Sequence, residues 1–354
     1  MKALILSGGK GTRLRPITHT SAKQLIPVAN KPILFYAIEA IRDAGITDIG
    51  IVVGDTAEEV KNAVADGKKF GVKVTYIKQD EPLGLAHAVL ISRDYLKDDE
   101  FVMYLGDNLI KNGIANLVEQ FKQLAPNSQI LLAHVKDPTQ FGVAELKDSK
   151  VIRLEEKPKH PKSDLALVGV YMFDKNIHTA VRAIKPSRRG ELEITDAIQW
   201  LIDNNFKVLP HIVTGWWKDT GKLEDMLEAN RMMLDMCEMD IRGEVDEHSR
   251  VEFKVVIEKG AVVKNSTVRG PAAIGAGAKI INSYIGPFTS ISAGTQVINS
   301  EIEHSIILEN CIIEDVGIKI EDSLIGRNVE VRRLNEKPKV YRLLLGDNSK
   351  VGLP

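Results

Sequence analysis

The sequence predicts an α/β domain with a mainly parallel sheet, of the Rossmann-like type, followed by an all-β solenoid. Three observations predict this fold class. Apolar strands alternate with amphipathic helices through the first part of the chain, a glycine-rich loop follows the first strand, and short Ile/Val segments recur every 17 residues from about residue 249 onward. A length of 354 residues also favours two domains over one.

The first part of the chain reads as alternating strands and helices. The range 32–44 has apolar residues at helical spacing and ends at Gly45, which is a common helix stop. This order favours a parallel sheet covered by helices on both faces. The expected strands are 2–7, 49–53, 72–77, 101–105, 130–135, 151–154, 165–173 and 208–213, and the expected helices are 32–44, 58–64, 85–95, 194–204 and 223–236.

The repeat in the second part predicts stacked coils with three flat faces. Each face would point one aliphatic side chain inward, and small residues would turn the corners. Glu314 and Lys319 interrupt the pattern, so we expect a loop in the fourth coil. A β-sandwich is the weaker alternative, because it has no reason to keep a 17-residue period. The period is marked by Ile257, Ile274, Ile291, Leu308 and Ile325.

These patterns divide the chain into three predicted parts. They are an α/β domain over 1–240, a β-solenoid over 241–335 and a tail over 336–354.

Composition excludes several classes of protein. The 27% of charged residues leave a net charge of only -1, which favours neither a nucleic-acid nor a membrane partner. The apolar run at the N-terminus stops at Gly8 and is too short for a signal peptide or a membrane span. Cys237 and Cys311 are far apart and form no metal-binding spacing. We therefore expect a cytoplasmic protein.

The loop after the first strand is predicted to bind phosphate. Gly8, Gly9 and Gly11 let the backbone approach an anion closely, and Arg13 follows at once. The Walker spacing is absent, and Leu14 stands where a dinucleotide-binding loop needs its third glycine. A tight turn that binds no ligand is the alternative.

Two aspartates at strand ends are candidates for holding a hard cation. Asp107 follows a strand and Gly106, and Asp219 follows another strand. Ligands of open parallel sheets bind beyond the carboxyl ends of the strands. Mg²⁺ prefers few carboxylates together with substrate phosphates and water. Either aspartate alone could equally be a turn or helix-cap residue. Lys23 is notable for its place between the glycine loop and a proline-stiffened segment.

Seven segments resemble a known family when they are taken together. Two of them are not distinctive alone, since Glu155–Pro158 reads as a surface ion pair before a turn and Gly190–Asp196 as a helix start. The segments are 8–14, 23–28, 84–86, 105–108, 155–158, 190–196 and 217–221. In this order they resemble the sugar nucleotidyltransferases, and among these the glucose-1-phosphate thymidylyltransferases in their long form. Lys23-Gln24 and Gly190–Asp196 favour thymidylyl transfer in particular. The resemblance covers nearly the whole chain, and the coil length is similar to that of left-handed parallel β-helices.

The resemblance implies roles for individual residues. Catalysis would fall to Arg13, Lys23, Asp107, Lys157 and Asp219, with Mg²⁺ held by Asp107 and Asp219. The nucleotide would contact Leu6, Gly8, Gly9, Gly11, Thr12, Arg13, Lys23, Gln24, Gln79, Gly84 and Asp107, and the sugar Asn108, Gly142, Glu156, Lys157 and Leu167. The short enzymes of the family have Tyr where this chain has Phe141, so a hydroxyl near the sugar is missing.

The implied reaction is the magnesium-dependent transfer of a thymidylyl group from dTTP to glucose 1-phosphate. Its products are dTDP-glucose, for deoxysugar biosynthesis, and pyrophosphate, and the enzyme would be a homo-oligomer. Three alternatives stay open. The chain could use UTP or another sugar, the solenoid could add an acyltransferase activity with His304, or the whole chain could be a non-catalytic regulator. His304 is the one histidine within the repeats.

Overall fold

The computed structural model describes residues 1–9, 11–19 and 21–333, so the predicted tail over 336–354 lies outside the described residues. The chain forms two compact units. The first contains 1–9, Ser21–Leu25 and Ile33–Asp219, and the second contains 11–19, Ile26–Pro32 and the chain from Thr220 onward. Two short segments near the N-terminus therefore belong to the same unit as the solenoid. The domain bounds over 1–240, 241–335 and 336–354 stay predictions.

The elements up to the solenoid follow the predicted order. The strands are β1 Lys2–Ser7, β2 Pro27–Val28, β3 Lys31–Pro32, β4 Asp48–Val53, β5 Lys73–Lys78, β6 Phe101–Leu105, β7 Asn108–Ile110, β8 Ser128–His134, β9 Gly142–Lys147, β10 Lys150–Glu156, β11 Leu165–Phe173, β12 Val208–Ile212 and β13 Trp217–Asp219. The helices are α1 Ile33–Asp43, α2 Ala57–Val64, α3 Leu85–Ile91, α4 Arg93–Leu96, α5 Ala115–Leu124, α6 Ile177–Ala183, α7 Ile194–Asp203 and α8 Leu223–Asp235.

The first unit is built on one sheet with the strand order β10-β9-β11-β6-β1-β4-β5, and β8 and β12 extend it from β11. The pairs β1–β4, β1–β6 and β4–β5 are parallel, whereas β11 runs antiparallel to β6, β8 and β9. Because β1 and β6 are parallel neighbours, their carboxyl ends meet at one edge of the sheet. Two apolar clusters cover the sheet, one including Ile38 and Ile41 of α1 and the other Val89 of α3 and Ile198 of α7.

One predicted helix differs from the structure. The range 85–95 forms two helices, α3 and α4, because the chain turns at Ser92. The hydroxyl of Ser92 donates to the Ala88 carbonyl at 2.7 Å, a local bond that competes with a continuous helix. Among the described helices, none combines the length and the apolar composition that crossing a bilayer requires.

The solenoid consists of three sheets of short parallel strands. Their orders are β14-β17-β20-β23-β26-β28, β15-β18-β21-β24-β27-β29 and β16-β19-β22-β25. The strands are β14 Asp240–Ile241, β15 Glu244–Val245, β16 Arg250–Glu252, β17 Val255–Ile257, β18 Val262–Lys264, β19 Thr267–Arg269, β20 Ala272–Ile274, β21 Lys279–Ile281, β22 Tyr284–Ile285, β23 Thr289–Ile291, β24 Gln296–Ile298, β25 Glu301–Ile302, β26 Ile306–Ile307, β27 Ile312–Glu314, β28 Leu324–Ile325 and β29 Glu330–Arg332. This confirms the predicted fold class of an α/β domain followed by a parallel β-helix.

Each sheet contributes one inward column of aliphatic side chains, as the period predicted. The column of the first sheet pairs Ile274 with Ile291, Ile291 with Ile307, and Ile307 with Ile325. The equivalent residue in the fourth coil is therefore Ile307, and the assignment of Leu308 was wrong by one position. That coil is one residue short. The next is one residue long, because the loop that precedes Ile320 adds two residues and the corner after Ile320 lacks one.

The corners of the solenoid are three columns of residues in the left-handed backbone region. The first column begins with glycines, and the second stacks asparagines whose amides bond from coil to coil at 2.6–3.1 Å. The third column has large rings, contrary to the expected small residues. The columns are Gly260, Gly277, Gly294, Asn310 and Asn328; Asn265, Asn282, Asn299 and Asp315; and Phe253, Phe288, His304 and Asp322.

Candidate active site

The glycine loop begins at the carboxyl end of β1, where the backbone packs tightly. A Cβ added to Gly8 would lie 3.3 Å from Oε1 of Gln79, and one added to Gly9 would lie 3.9 Å from Nε2 of Gln24. The carbonyl of Leu6, near the end of β1, accepts a hydrogen bond from the backbone amide of Gly106 at 3.0 Å. The structure thus brings these five predicted residues of the nucleotide site to one edge of the sheet: Leu6, Gly8, Gly9, Gln24 and Gln79.

Gln79 is held in place by the start of α3. Its Nε2 lies 3.3 Å from the Gly84 carbonyl and 3.0 Å from Nδ1 of His87. Gly84 has φ +105, and a Cβ there would lie 2.4 Å from the Leu192 carbonyl oxygen. Only glycine fits this position, so the sequence signal Gly84–Ala86 has a clear steric reason.

Lys23 and Asp107 form a buried ion pair beside this loop. Nζ of Lys23 lies 2.5 Å from Oδ2 of Asp107, and the side chains are 7% and 21% exposed. Nδ2 of Asn108 donates to Oδ1 of the same carboxylate at 2.9 Å. Burial alone would raise the pKa of Asp107, but the charge and hydrogen bonds of Lys23 and the amide of Asn108 lower it below the usual value. Asp107 is therefore an ionised carboxylate at neutral pH.

Asp219 reaches the same place through the short β7–β13 ladder, in which it pairs with Asn108. Nε1 of Trp217 donates to Oδ1 of Asn108 at 2.6 Å, and the Gly169 amide donates to the same oxygen at 3.2 Å. Asn108 thus links β13, which ends at Asp219, with the start of β7, which directly follows Asp107. The described residues contain no cluster of three His, Cys, Asp or Glu side chains that could hold a metal. Two carboxylates suit Mg²⁺, which takes its other ligands from phosphates and water.

A second group of predicted residues surrounds Glu156 at the end of β10. A Cβ added to Gly142 would lie 2.6 Å from Cγ2 of Thr195, 3.1 Å from Oε2 of Glu156 and 3.4 Å from Cδ1 of Leu167. The Thr195 hydroxyl donates to Oε2 of Glu156 at 3.3 Å. Gly142, Glu156 and Leu167, all predicted to contact the sugar, therefore lie next to one another.

Arg189 lies between the half-buried carboxylate of Glu156 and the buried carboxylate of Glu193. Its Nη1 is 3.4 Å from Glu156 Oε1 and 3.4 Å from Glu193 Oε1. Burial and then the charge of Glu193 raise the pKa of Glu156, although Lys157 and Arg189 oppose the change. The sequence assigned no role at this site to Arg189, Glu193, Thr195 or Trp217, and it interpreted Thr195 as a helix cap, a position that Glu193 occupies. The segment Gly190–Asp196 was the available signal, but it reads equally well as a helix start.

Lys157 follows Glu156 in a strained conformation. Its φ is +43, in the left-handed region that non-glycine residues rarely adopt, and its amide donates to the Phe141 carbonyl at 3.0 Å. The side chain of Lys157 is exposed. The ring of Phe141 packs edge-on against Trp217 at 5.4 Å. Phe141 therefore contacts both Lys157, next to Glu156, and Trp217 of the β7–β13 ladder.

The three remaining predicted residues lie in the other unit. Gly11 is left-handed with φ +59 and precedes the short 3-10 turn Thr12–Leu14, where Thr12 and Arg13 are exposed. Their contact with a nucleotide stays a prediction.

This constellation agrees with comparisons to known proteins. A model of the nucleotidyl transferase family matches residues 2–236, and the chain belongs to this family. A glucose-1-phosphate thymidylyltransferase of Streptomyces antibioticus is 60% identical over 353 residues, and one of Streptomyces griseus is 58% identical over 351, in each case over 99% of both chains. A solved Bacillus anthracis structure assigned to the same activity, in complex with sucrose, has a TM-score of 0.64 and 37% identity over 68% of this chain and 98% of that one. The resemblance predicted from the sequence is confirmed.

Proposed function

We propose that this chain transfers a thymidylyl group from dTTP to glucose 1-phosphate and releases pyrophosphate. The observation that carries the proposal is the Lys23–Asp107 ion pair at the glycine loop, linked through Asn108 to Asp219. This arrangement offers both signs of charge where a triphosphate would enter. The full-length similarity to the two Streptomyces thymidylyltransferases supports the same reaction.

The reaction needs charge control rather than a general base. An oxygen of the sugar phosphate attacks the α-phosphorus of dTTP, and the bond from that phosphorus to the pyrophosphate oxygen breaks. The attacking oxygen is already ionised, so no side chain has to remove a proton. The barrier comes from bringing two anions together, and catalysis rests on neutralisation and in-line positioning. Lys157 would neutralise the sugar phosphate, and Arg13 the leaving pyrophosphate.

Asp107 and Asp219 fit a resident Mg²⁺. The ion, when bound, would neutralise the charge of the reacting phosphates. Lys23 keeps Asp107 ionised and directs one oxygen of the carboxylate, while Asn108 holds the other. The ladder pairing of Asn108 with Asp219 sets the second carboxylate on the neighbouring strand.

Gln24 and Gln79 would recognise the nucleotide. Oε1 of Gln24 is buried and has no hydrogen-bond partner among the described residues, a costly state that a donor on a ligand would relieve. The N3–H of thymine is such a donor. Uracil offers the same group and differs by one methyl, which discriminates only modestly. UTP therefore stays the closest competitor of dTTP.

The residues around Glu156 would take the sugar. Oε1 and Oε2 of Glu156 are acceptors for sugar hydroxyls, and a side chain at position 142 would press on Thr195 and on this carboxylate, which glycine avoids. Leu167 supplies an apolar wall. We also propose that the enzyme works in the cytoplasm as a homo-oligomer, with small-molecule substrates and neither a nucleic-acid nor a membrane partner.

One panel of incubations tests this function. The full chain is mixed with Mg²⁺, one of dTTP, UTP, ATP or GTP, and glucose 1-phosphate, and pyrophosphate is measured. We expect the highest kcat/KM with dTTP and loss of turnover when EDTA removes the metal. A chain that releases no pyrophosphate with any of these nucleotides is not this enzyme, and equal rates with all four would remove the nucleotide assignment.

A further inference from the structure

A short hairpin follows the predicted nucleotide-binding residues Lys23 and Gln24 along the chain. Its strands β2 and β3 pair antiparallel. Ala29 and Asn30 form the turn, with φ values of +47 and +59. Positive φ at both central residues is typical of a tight two-residue hairpin turn. The hairpin and the solenoid belong to the same compact unit.

Asn230 of α8 holds one side of this hairpin. It is fully buried, and its Oδ1 accepts from the Ala29 amide at 2.8 Å and from the Ser290 hydroxyl at 2.7 Å. Its Nδ2 donates to the Phe288 carbonyl at 2.9 Å. Ser290 lies in β23, and Phe288 lies just before it. One side-chain amide therefore bonds both the turn of the hairpin and one coil of the solenoid.

Asn30 makes a second connection to the same coil. Its Nδ2 donates to the Ile291 carbonyl at 2.9 Å, and its Oδ1 lies 3.3 Å from the Ser292 hydroxyl. Ser290 and Ser292 are 1% and 4% exposed. We call the side chains of Asn30, Asn230, Ser290 and Ser292 the hairpin clamp.

We propose that the hairpin clamp makes the β-helix a positioning element for nucleotide binding, with Asn30 and Asn230 as positioning residues. This inference rests on the proposed function. Only Leu25 and Ile26 separate Gln24 from the hairpin, and both are buried. Pro27 is three residue steps from Gln24, which is at most about 11 Å of extended chain, so a fixed hairpin limits the movement of Gln24 and Lys23. A displacement of about 1 Å at a reacting group can cost roughly a hundredfold in rate.

The bonds of the hairpin clamp differ from the bonds that hold the coils of the solenoid together. The solenoid has its own bonds between coils, such as the asparagine column and the stacked serines, and these do not involve the hairpin. The clamp instead joins the turn of the hairpin to one coil, through the amide of Asn230 that reaches Ala29 and the amide of Asn30 that reaches Ile291. Loss of the clamp should therefore change the affinity for the nucleotide, whereas loss of a bond between coils should change only stability.

The experiment compares full-length variants of the clamp with a matched control. Asn30→Gly removes both side-chain bonds, and glycine accepts the positive φ without strain. Asn230→Ala removes three bonds. The control is Ser283→Ala, a buried serine whose hydroxyl donates to Ile281 at 2.7 Å and accepts from the Ser300 amide at 3.2 Å.

We expect Asn30→Gly to raise the KM for dTTP about fivefold, the equivalent of one net hydrogen bond of about 1 kcal/mol, with the KM for glucose 1-phosphate unchanged. Asn230→Ala should act in the same direction, and Ser283→Ala should lower only the Tm. Unchanged dTTP constants in Asn30→Gly, with a Tm change like that of the control, would overturn the proposal.

Binding of dTTP by calorimetry separates this proposal from the proposed function. A wild-type chain that binds dTTP but releases no pyrophosphate refutes the reaction, and the clamp is then judged by the Kd for dTTP. Asn30→Gly also decides the question if Asn230→Ala does not fold.

Discussion

At the scale of single residues, the Lys23–Asp107 pair keeps a carboxylate ionised. Burial disfavours the charged form of a carboxylate. The ammonium of Lys23 opposes this effect and lowers the pKa of Asp107, so the carboxylate is ionised before a substrate binds. The cost of burying the pair is offset by the short bond and by the amide of Asn108.

Asp107→Asn should lower kcat by roughly a hundredfold or more, because a preorganised charge contact to the reacting phosphates is lost. Asp219→Asn should act similarly. Pyrophosphate release in saturating Mg²⁺ measures both. Asp99→Asn is the matched control, since Asp99 forms an exposed ion pair with Lys2 at 3.0 Å, and its rate should equal that of the wild type. Wild-type rates in both Asp107→Asn and Asp219→Asn would remove the metal assignment.

Gly142→Ala should raise the KM for glucose 1-phosphate at least tenfold and leave the KM for dTTP nearly unchanged. The new Cβ would lie 2.6 Å from Cγ2 of Thr195 and 3.1 Å from Oε2 of Glu156, so the carboxylate must move. Steady-state kinetics with each substrate varied measures the split. Gly326→Ala is the control, because no atom lies within 4 Å of its added Cβ. Equal changes in both KM values would contradict a sugar pocket here.

The sequence could predict residues whose chemistry is local, such as the glycine loop and Asp107. It could not show that Arg189 lies between Glu156 and Glu193, because Arg189 and Glu156 are 33 positions apart in the chain. Trp217 was missed for the same reason: its role comes from a bond to Asn108, 109 positions away. Only the fold brings such pairs together.

At the scale of elements, periodicity placed the bounds of the predicted strands and helices to within two residues, except for the range 85–95, but it missed short elements such as β9 and α6. β11, at Leu165–Phe173, was predicted with its observed bounds because eight apolar residues, interrupted only by Gly169, mark a strand buried on both faces. α5 was not predicted, although Leu117, Val118 and Phe121 have helical spacing. The division between α3 and α4 depends on one side-chain bond of Ser92, which no period records.

His178 on α6 makes the stability of its element sensitive to pH. The side chain is 3% exposed and stacks on Phe101, and neither ring nitrogen makes a well-formed hydrogen bond among the described residues. Burial first, and then the nearby charge of Arg93, lower the pKa of His178 to about 4, while the backbone of Lys97 and the charge of Asp98 oppose the change.

Because the unfolded chain binds this proton near pH 6.5 and the folded chain only near pH 4, stability should fall as the pH drops through that window. The expected slope from this group is about 1.4 kcal/mol per pH unit. Urea unfolding at pH 7, 5.5 and 4.5 measures it. His178→Leu should reduce the slope by about one proton, and an unchanged slope would show that other groups cause the loss.

At the scale of the whole molecule, the sequence predicted the solenoid correctly but misaligned one of its coils. The 17-residue period identified the solenoid, but one short coil shifted the equivalent residue from Leu308 to Ile307. The membership of 11–19 and 26–32 in the second unit had no sequence signal, because it depends on packing between distant segments.

The solenoid should carry no acyl-transfer activity. His304 is in contact with Asp322, with 2.5 Å between Nδ1 and Oδ1, and its ring meets Phe288 edge-on. These contacts give His304 a structural place in the ring column. Incubation of the full chain with acetyl-CoA and either glucose 1-phosphate or dTDP-glucose should release no free CoA above a protein-free blank. Release that disappears in His304→Ala would restore the two-activity interpretation.

The three corner columns also constrain how a gene for such a chain can change. A tandem duplication one coil long would add a new coil with every glycine, asparagine and ring still above its counterpart. An insertion of one residue within a strand would turn the side chains that follow it in that strand to the opposite face. Length variation among descendants should therefore occur in whole coils or in loops that leave a corner, such as the one before Ile320.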